Sequence, residues 1–199
     1  MNIETHNIRW ALLCTGWGRS ACHVLDAFAN GSFQSSVISI VIYENEPCGA
    51  AERAREIGVP ILQLKRSSFE SGLAYQMNMV DILREHAIDY IFLLSYKYIV
   101  RKRWLQAFPD RIVNIHPSLL PSFKGTMTAI QDAMAYGVTI SGITTHFIDD
   151  KVDEGTIIDQ YPVRFEADDT FETLDQKFNQ GGKILVTRTI QQVEKQHQS

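Results

Sequence analysis

Short apolar runs alternate with amphipathic stretches along the chain. Arg9–Cys14, Val37–Tyr43 and Tyr90–Leu94 are almost continuously apolar, the pattern of strands covered on both faces. Between them the period lengthens to that of a helix over Arg19–Ala29, ended by Asn30-Gly31, and over Ala50–Ile57, closed by Gly58. Pro60–Gln63 predicts a short strand, Ser67–His86 a long helix and Arg101–Phe108 a short one. The run Ile112-Val113-Asn114-Ile115 predicts a strand through His116 that Pro117 stops, because proline cannot donate to a sheet ladder. Thr126–Tyr136 has helical period and is closed by Gly137; Thr139–Phe147 and Ile157–Val163 read as strands. Thr170–Gln191 reads as a closing helix with Gly181-Gly182 as its weak point. This alternation predicts right-handed βαβ units: an α/β fold with a mainly parallel, twisted sheet and helices on both faces. No repeat, low-complexity segment or linker is evident, so residues 1–199 are expected to form one domain.

The composition, 45% hydrophobic and 21% charged, is that of an ordinary globule, and the net charge of −4 argues against broad attraction to nucleic acid. The basic cluster from Lys97 to Arg103 reads as a solvated helix start before it reads as a polyanion site. Three widely spaced cysteines, Cys14, Cys22 and Cys48, fit a reducing compartment without a disulfide framework or metal cluster. Glu4 and His6, with no apolar core before Trp10, do not make a signal peptide, and no uncharged apolar run is long enough to span a membrane. A cytoplasmic protein is expected.

Three segments carry chemistry. The first is the loop Gly16-Trp17-Gly18-Arg19-Ser20-Ala21, which leaves a strand and opens a helix. Its amides suit a phosphate, with Arg19 and Ser20 adding a charge and a hydroxyl. It also fits G-x-G-x-x-A, with Glu44 placed for a ribose hydroxyl, so a nicotinamide-dinucleotide oxidoreductase is a remote alternative. A tight turn with no ligand is the third reading. The second segment is Asn114-Ile115-His116-Pro117. Side chains alternate along a strand, so Asn114 and His116 share one side and Ile115 takes the other. An amide and an imidazole are thus presented at a strand's carboxyl end, where open α/β sheets bind ligands. The third is the acidic loop Asp149-Asp150-Lys151-Val152-Asp153-Glu154-Gly155, whose acids lack the alternating spacing of a calcium loop; no metal is expected. One amide, one imidazole and one carboxylate suit acyl transfer to an amine. Asn114 would donate to the developing oxyanion, His116 would stabilise it and shuttle protons, and Asp153 would hold the imidazolium or take the amine proton through water. No Ser or Cys nucleophile is needed, because the amine attacks. The dinucleotide reading leaves the Asn114-x-His116-Pro117 group unexplained.

The stretch Asn114-Ile115-His116-Pro117-Ser118-Leu119-Leu120-Pro121-Ser122-Phe123-Lys124-Gly125, then Gly142-x-Thr144-x-His146-Phe147, then Val152-Asp153-x-Gly155-x-Ile157-Ile158-x-Gln160, resembles the folate-dependent formyltransferase family, most closely its small members that act on glycinamide ribonucleotide. The resemblance implies a Rossmann-like sheet, 10-formyltetrahydrofolate as formyl donor, and Asn114, His116 and Asp153 as catalytic residues. It implies a pteridine site formed largely by backbone, from Tyr98, Ile99 and Val100 and from Ile148, Asp149 and Asp150. The acceptor is then a small primary amine, phosphorylated, with glycinamide ribonucleotide the leading name and a nucleotide-linked amino sugar or specialised metabolite the alternative. Gly16, Trp17, Gly18, Arg19, Ser20 and Pro117 would contact it, in a monomer or homodimer. The chain departs from the glycinamide pattern on that acceptor side. Arg19-Ser20 stands where Ser/Thr-Asn is usual, Gly72 where an Arg is, and Gly182 where a Glu is; the Gly125–Gly137 segment is one residue longer.

Overall fold

A computed structural model describes residues 7–197, so the reading of Glu4 and His6 lies outside the described residues. The apolar runs form seven strands: β1 (Ile8–Cys14), β2 (Ser36–Tyr43), β3 (Ile61–Gln63), β4 (Tyr90–Leu93), β5 (Ile112–His116), β6 (Ile140–Phe147) and β7 (Ile157–Arg164). Six α-helices connect and cover them: α1 (Arg19–Ala29), α2 (Gly49–Glu56), α3 (Gly72–Glu85), α4 (Lys102–Ala107), α5 (Ala129–Tyr136) and α6 (Phe171–His197). The strands make one sheet in the order β3-β2-β1-β4-β5-β6-β7. The first five run parallel; β6 and β7 are antiparallel additions. The central parallel strands are largely apolar because both faces are covered. On one face Trp10, Leu12 and Val41 pack with Val24, Leu25, Val186 and Ile190 of α1 and α6 and with the alanines of α2. On the other, Leu13, Ile40, Ile91 and Ile112 pack with Met79 and Leu83 of α3 and Trp104 of α4. The chain reverses its winding direction between β1 and β4, whose carboxyl ends diverge there. The Thr15 hydroxyl donates to the Ser95 carbonyl at 2.9 Å and ties the two diverging loops together.

Three helices differ from the sequence reading. The expected Ser67–His86 helix is a 3-10 turn (Arg66–Ser68) followed by α3, because the Ser71 side chain accepts the Ala74 N–H at 3.0 Å and caps a fresh helix start. The α5 helix starts at Ala129 rather than Thr126, because the Thr126 and Thr128 hydroxyls turn to the Asp132 carboxylate and hold the chain in a turn. The closing helix runs unbroken through Gly181-Gly182 to His197. Gly181 is a close-packing position: a side chain there would meet the Tyr161 ring at 2.5 Å. The extra turns past Gln191 are held by Glu194, a buried carboxylate that accepts the Gln34 and Ser35 N–H groups at 3.3 and 2.8 Å. Among the described residues no helix is long and apolar enough to cross a membrane.

Candidate active site

The alternation of β5 places its residues on opposite faces of the sheet. Ile112 belongs to the layer under α3 and α4, and Asn114 and His116 share its side; Val113 and Ile115 belong to the layer under α1 and α6. Asn114 pairs with His146 of β6 across the antiparallel ladder. Asp153 arrives from the loop between β6 and β7 and sets its carboxylate between two imidazoles. Its Oδ2 is 3.4 Å from His116 Nδ1 and its Oδ1 is 3.6 Å from His146 Nε2. Asn114 Nδ2 lies 3.3 Å from the same His146 nitrogen. The catalytic residues expected from sequence are therefore brought together, but through a fourth that sequence reasoning did not assign. His146 belongs to the Gly142-x-Thr144-x-His146-Phe147 pattern, and what gives it a role is its place directly opposite Asn114 in the antiparallel ladder.

His146 Nδ1 is 3.0 Å from the Phe147 carbonyl, and its Nε2 lies between Asn114 Nδ2 at 3.3 Å and Asp153 Oδ1 at 3.6 Å. The Asn114 amide carries two N–H groups, so this contact engages at most one and leaves the other available. His116 Nε2 is 2.9 Å from the Phe123 carbonyl and its Nδ1 faces Asp153. Both nitrogens of this buried ring face oxygen acceptors. His146, then the Gly125 N–H (2.9 Å) and the nearby His116, hold the Asp153 carboxyl below its ordinary value against the opposing effect of burial. Asp153 has φ +54, a left-handed backbone that costs a non-glycine residue about 1 kcal/mol. Gly155 explains the Asp153-x-Gly155 spacing, since any side chain there would collide with the Phe147 carbonyl oxygen. No group of three or more His, Cys, Asp or Glu able to hold a metal is found among the described residues.

On the opposite face lies a cleft of about 430 Å³. Trp17, Gly18, Arg19, Ser20 and Pro117 line it, as expected of acceptor contacts; Gly16 is exposed at the start of the loop and does not. Ile115, Ile130, Ile143 and Phe178 give it an apolar wall. Asn114, His116 and Asp153 are not in its lining, because they stand on the other side of the sheet; the two regions meet at the carboxyl edge of β5. The Arg19 guanidinium is committed to Asp175 of α6 by two hydrogen bonds of 2.7 and 2.9 Å, and each raises the other's preference for its charged form. Asn179, one turn on, receives His23 Nε2 at 2.9 Å. At Gly182 an added Cβ would meet only Ile143 Cδ1 at 3.8 Å, so this wall has free space where a carboxylate is usual in the family it resembles. At Gly72 the Arg66 guanidinium fills the neighbouring space, 3.3 Å from where a Cβ would stand.

The segment read as a pteridine site is an irregular loop after β4. Gln76, a buried polar side chain of α3, donates to the Ile99 carbonyl at 2.7 Å and accepts the Arg101 N–H at 3.1 Å, which fixes the loop from inside. Ile99 projects outward, while Tyr98 and Val100 pack on the α3/α4 layer together with Ile148. Asp149 and Asp150 are exposed, and Asp149 accepts the Lys151 N–H at 2.9 Å in a local turn. The two loops thus meet the α3/α4 side of the sheet, the side of Asn114 and His116, through Tyr98, Val100 and Ile148. Glu44 is not open to a ribose: it is buried and accepts the Tyr98 hydroxyl at 2.6 and 2.7 Å and the Arg66 N–H at 3.1 Å. Burial and this carboxylate push the Tyr98 phenol up to about 12. The dinucleotide reading fails on that contact, because the acid it requires is already spent on a buried network.

A doubly wound sheet with an amide, an imidazole and a carboxylate gathered at one strand's end is the arrangement of an acyl-group transferase, and residues 8–190 match the formyl transferase family. The chain belongs to that family. It is 33% identical over 165 residues to the phosphoribosylglycinamide formyltransferase of Bacillus subtilis, covering 77% of this chain and 84% of that protein. Identity to the chloroplastic phosphoribosylglycinamide formyltransferase of Arabidopsis thaliana is also 33%, over 177 residues; the match takes in 86% of this chain and 60% of that protein's length. The crystal structure of glycinamide ribonucleotide transformylase 1 from Symbiobacterium toebii superimposes with a TM-score of 0.90 at 33% identity, over 96% of this chain and 89% of that one.

Proposed function

We propose that this chain is an N-formyltransferase that moves a formyl group from 10-formyltetrahydrofolate to a primary amine, with glycinamide ribonucleotide as the leading acceptor, and that residues 1–199 act as one catalytic domain. The observation that carries the reading is the Asn114–His146–Asp153–His116 network at the carboxyl end of β5. The folate lies on that face, against the backbone of Tyr98, Ile99 and Val100 and the loop of Ile148, Asp149 and Asp150. Gln76 supports this assignment by holding the first loop rigid, since backbone recognition needs a fixed backbone. The amine lies in the cleft on the other face and reaches over the edge at Pro117. It attacks the formyl carbon, and negative charge builds on the formyl oxygen. The free N–H of Asn114 and the His116 imidazolium donate to that oxygen; the Phe123 carbonyl now occupies the position His116 Nε2 offers to a substrate oxygen. Asp153 compensates the imidazolium and takes the amine proton through water. When the C–N bond to the folate breaks, the folate nitrogen gains a proton and tetrahydrofolate leaves.

The acceptor cleft supports a second reading of the substrate alone. Among its lining residues the one guanidinium is held by Asp175, and the Gly182 wall offers no carboxylate to ribose hydroxyls. A less charged amine with an apolar body fits that wall better. Release of tetrahydrofolate from 10-formyltetrahydrofolate, measured with glycinamide ribonucleotide, nucleotide amino sugars and apolar primary amines in turn, tests both readings. Turnover of glycinamide ribonucleotide at a kcat/KM at least tenfold above the other amines supports the first. The reverse order moves the protein to another acceptor, and no turnover with any amine counts against formyl transfer.

A further inference from the structure

The mechanism uses none of the thiols, yet two of them stand together beneath the acceptor loop. Cys14 ends β1 and Cys48 caps α2; both are buried and free, with their sulfurs 3.9 Å apart. A disulfide requires about 2.05 Å, so bonding would draw the sulfurs together by roughly 1.8 Å. The loop that lines the acceptor cleft rests on this pair. The Cys48 thiol and the Ala50 N–H both donate to the Trp17 carbonyl, at 3.7 and 3.3 Å. Gly18, with φ +84, sits so close that a Cβ would be 3.2 Å from Cys14 Sγ and 2.6 Å from Ala50 Cβ. The Trp17 ring lies on Gly49, where a side chain would collide with it. A second cleft, of about 450 Å³ and lined by Glu46, Pro47, Cys48, Ala51, Glu52 and Arg55, gives a small molecule a route to Cys48. The Cys14 thiol and the first amides of α2 favour the Cys48 thiolate, while the Cys14 thiol is held protonated. Cys22 is pushed up to about 11 by burial and by Asp26 and lacks that support.

We propose that Cys14 and Cys48 form a reversible thiol–disulfide switch that sets the shape of the Trp17–Gly18 wall of the acceptor cleft. Its effect on catalysis rests on the formyl-transfer reading above; its chemistry does not. The oxidant is a peroxide. The Cys48 sulfur attacks the nearer peroxide oxygen, the O–O bond breaks, and Cys48 becomes a sulfenic acid while the other oxygen leaves as water or an alcohol. The Cys14 sulfur then attacks Cys48, its proton goes to the departing hydroxyl, and water leaves as the S–S bond forms. Two thiols are oxidised by two electrons and one peroxide is reduced; a small dithiol reverses the change. Bonding removes the Cys48 contact to the Trp17 carbonyl and shifts Cys14 against Gly18.

The test exposes the reduced full-length protein to a few equivalents of hydrogen peroxide and follows intact mass, crosslinked peptides, acrylamide quenching of tryptophan and formyl-transfer kinetics. Trp10 and Trp104 are fully buried and Trp17 is 53% exposed, so quenching reports on Trp17. We expect a loss of two hydrogens, a Cys14–Cys48 peptide, altered quenching, and an acceptor KM raised at least fivefold with folate binding unchanged, all restored by dithiothreitol. Cys22→Ser should behave as the parent protein, Cys48→Ser should give none of these changes, and Cys14→Ser should stop at a sulfenic acid trapped by dimedone. A crosslink through Cys22, no crosslink at all, or a Cys14–Cys48 crosslink that moves neither quenching nor KM would overturn the proposal. A crosslink with altered quenching in a protein that formylates no amine supports the switch and counts against formyl transfer alone.

Discussion

Replacing Asp153 with Asn keeps the shape of the side chain and its ability to accept the Gly125 N–H, but removes the charge between two imidazoles at 3.4 and 3.6 Å. At an effective dielectric of about 20, a unit charge pair at this separation is worth roughly 4 to 5 kcal/mol. The carboxylate has already lost part of its hydration to sit there, so about 3 kcal/mol of net stabilisation remains to be lost when His116 must act as a cation. At about 1.4 kcal/mol per decade, kcat should fall by roughly 100-fold. The loop carrying Tyr98, Ile99 and Val100 is held by Gln76, and Asn at 153 keeps the Gly125 contact that anchors the loop carrying Ile148, Asp149 and Asp150, so folate affinity should stay within about threefold. Steady-state release of tetrahydrofolate gives kcat, fluorescence titration gives folate affinity, and thermal melting reports on the fold. A kcat within threefold of the parent, in a variant that melts normally, would refute the placement of charge in the mechanism.

Asn114→Ala removes one of the two proposed oxyanion donors and should lower kcat by about 10² to 10³ in the same assay while leaving acceptor KM nearly unchanged. Gly155→Ala forces a methyl group onto the Phe147 carbonyl and should lower both the melting temperature and kcat, because the loop carrying Asp153 must shift; unchanged melting would contradict the packing. Gly182→Glu enters free space and should fold normally; if glycinamide ribonucleotide is the acceptor and its ribose lies on this wall, its KM should fall several-fold, whereas a rise would place the ribose elsewhere. Asp169 accepts the Glu166 N–H at 2.7 Å, pairs with Lys177 and accepts the Thr173 hydroxyl, which together lower its carboxyl from 3.8 to about 2. Because the folded value is depressed, its stabilisation is complete above pH 3.8 and fades as pH falls toward about 2. Asp169→Asn should therefore lower the melting temperature at pH 7 and make little difference at pH 2; equal losses at both would show that the charge is not what stabilises.

Much of this molecule is legible in its sequence, for identifiable reasons. Continuous apolar runs marked the central strands because parallel strands buried on both faces leave no polar alternation, and Pro117 marked the end of β5 because it cannot extend a ladder. Asn114 and His116 could be placed on one face from the period of a strand alone. What could not be read was tertiary. Gly181 looked like a helix breaker because its reason, the Tyr161 ring, comes from another strand. Arg19 looked like a phosphate ligand because its partner Asp175 lies 156 residues away. The role of His146 required knowing that β6 runs antiparallel beside β5, and that of Gln76 required knowing which loop it faces. Glu44 fits a dinucleotide pattern in sequence, but in the fold the Tyr98 hydroxyl occupies it.

The most direct test of the central claim is amine-dependent release of tetrahydrofolate from 10-formyltetrahydrofolate by the parent protein and by His116→Ala, measured side by side with glycinamide ribonucleotide as the first acceptor. The parent should turn over and the variant should lose at least 100-fold, with folate binding retained by both. Turnover that survives the loss of His116, or a parent protein that binds folate and formylates no amine, would contradict it.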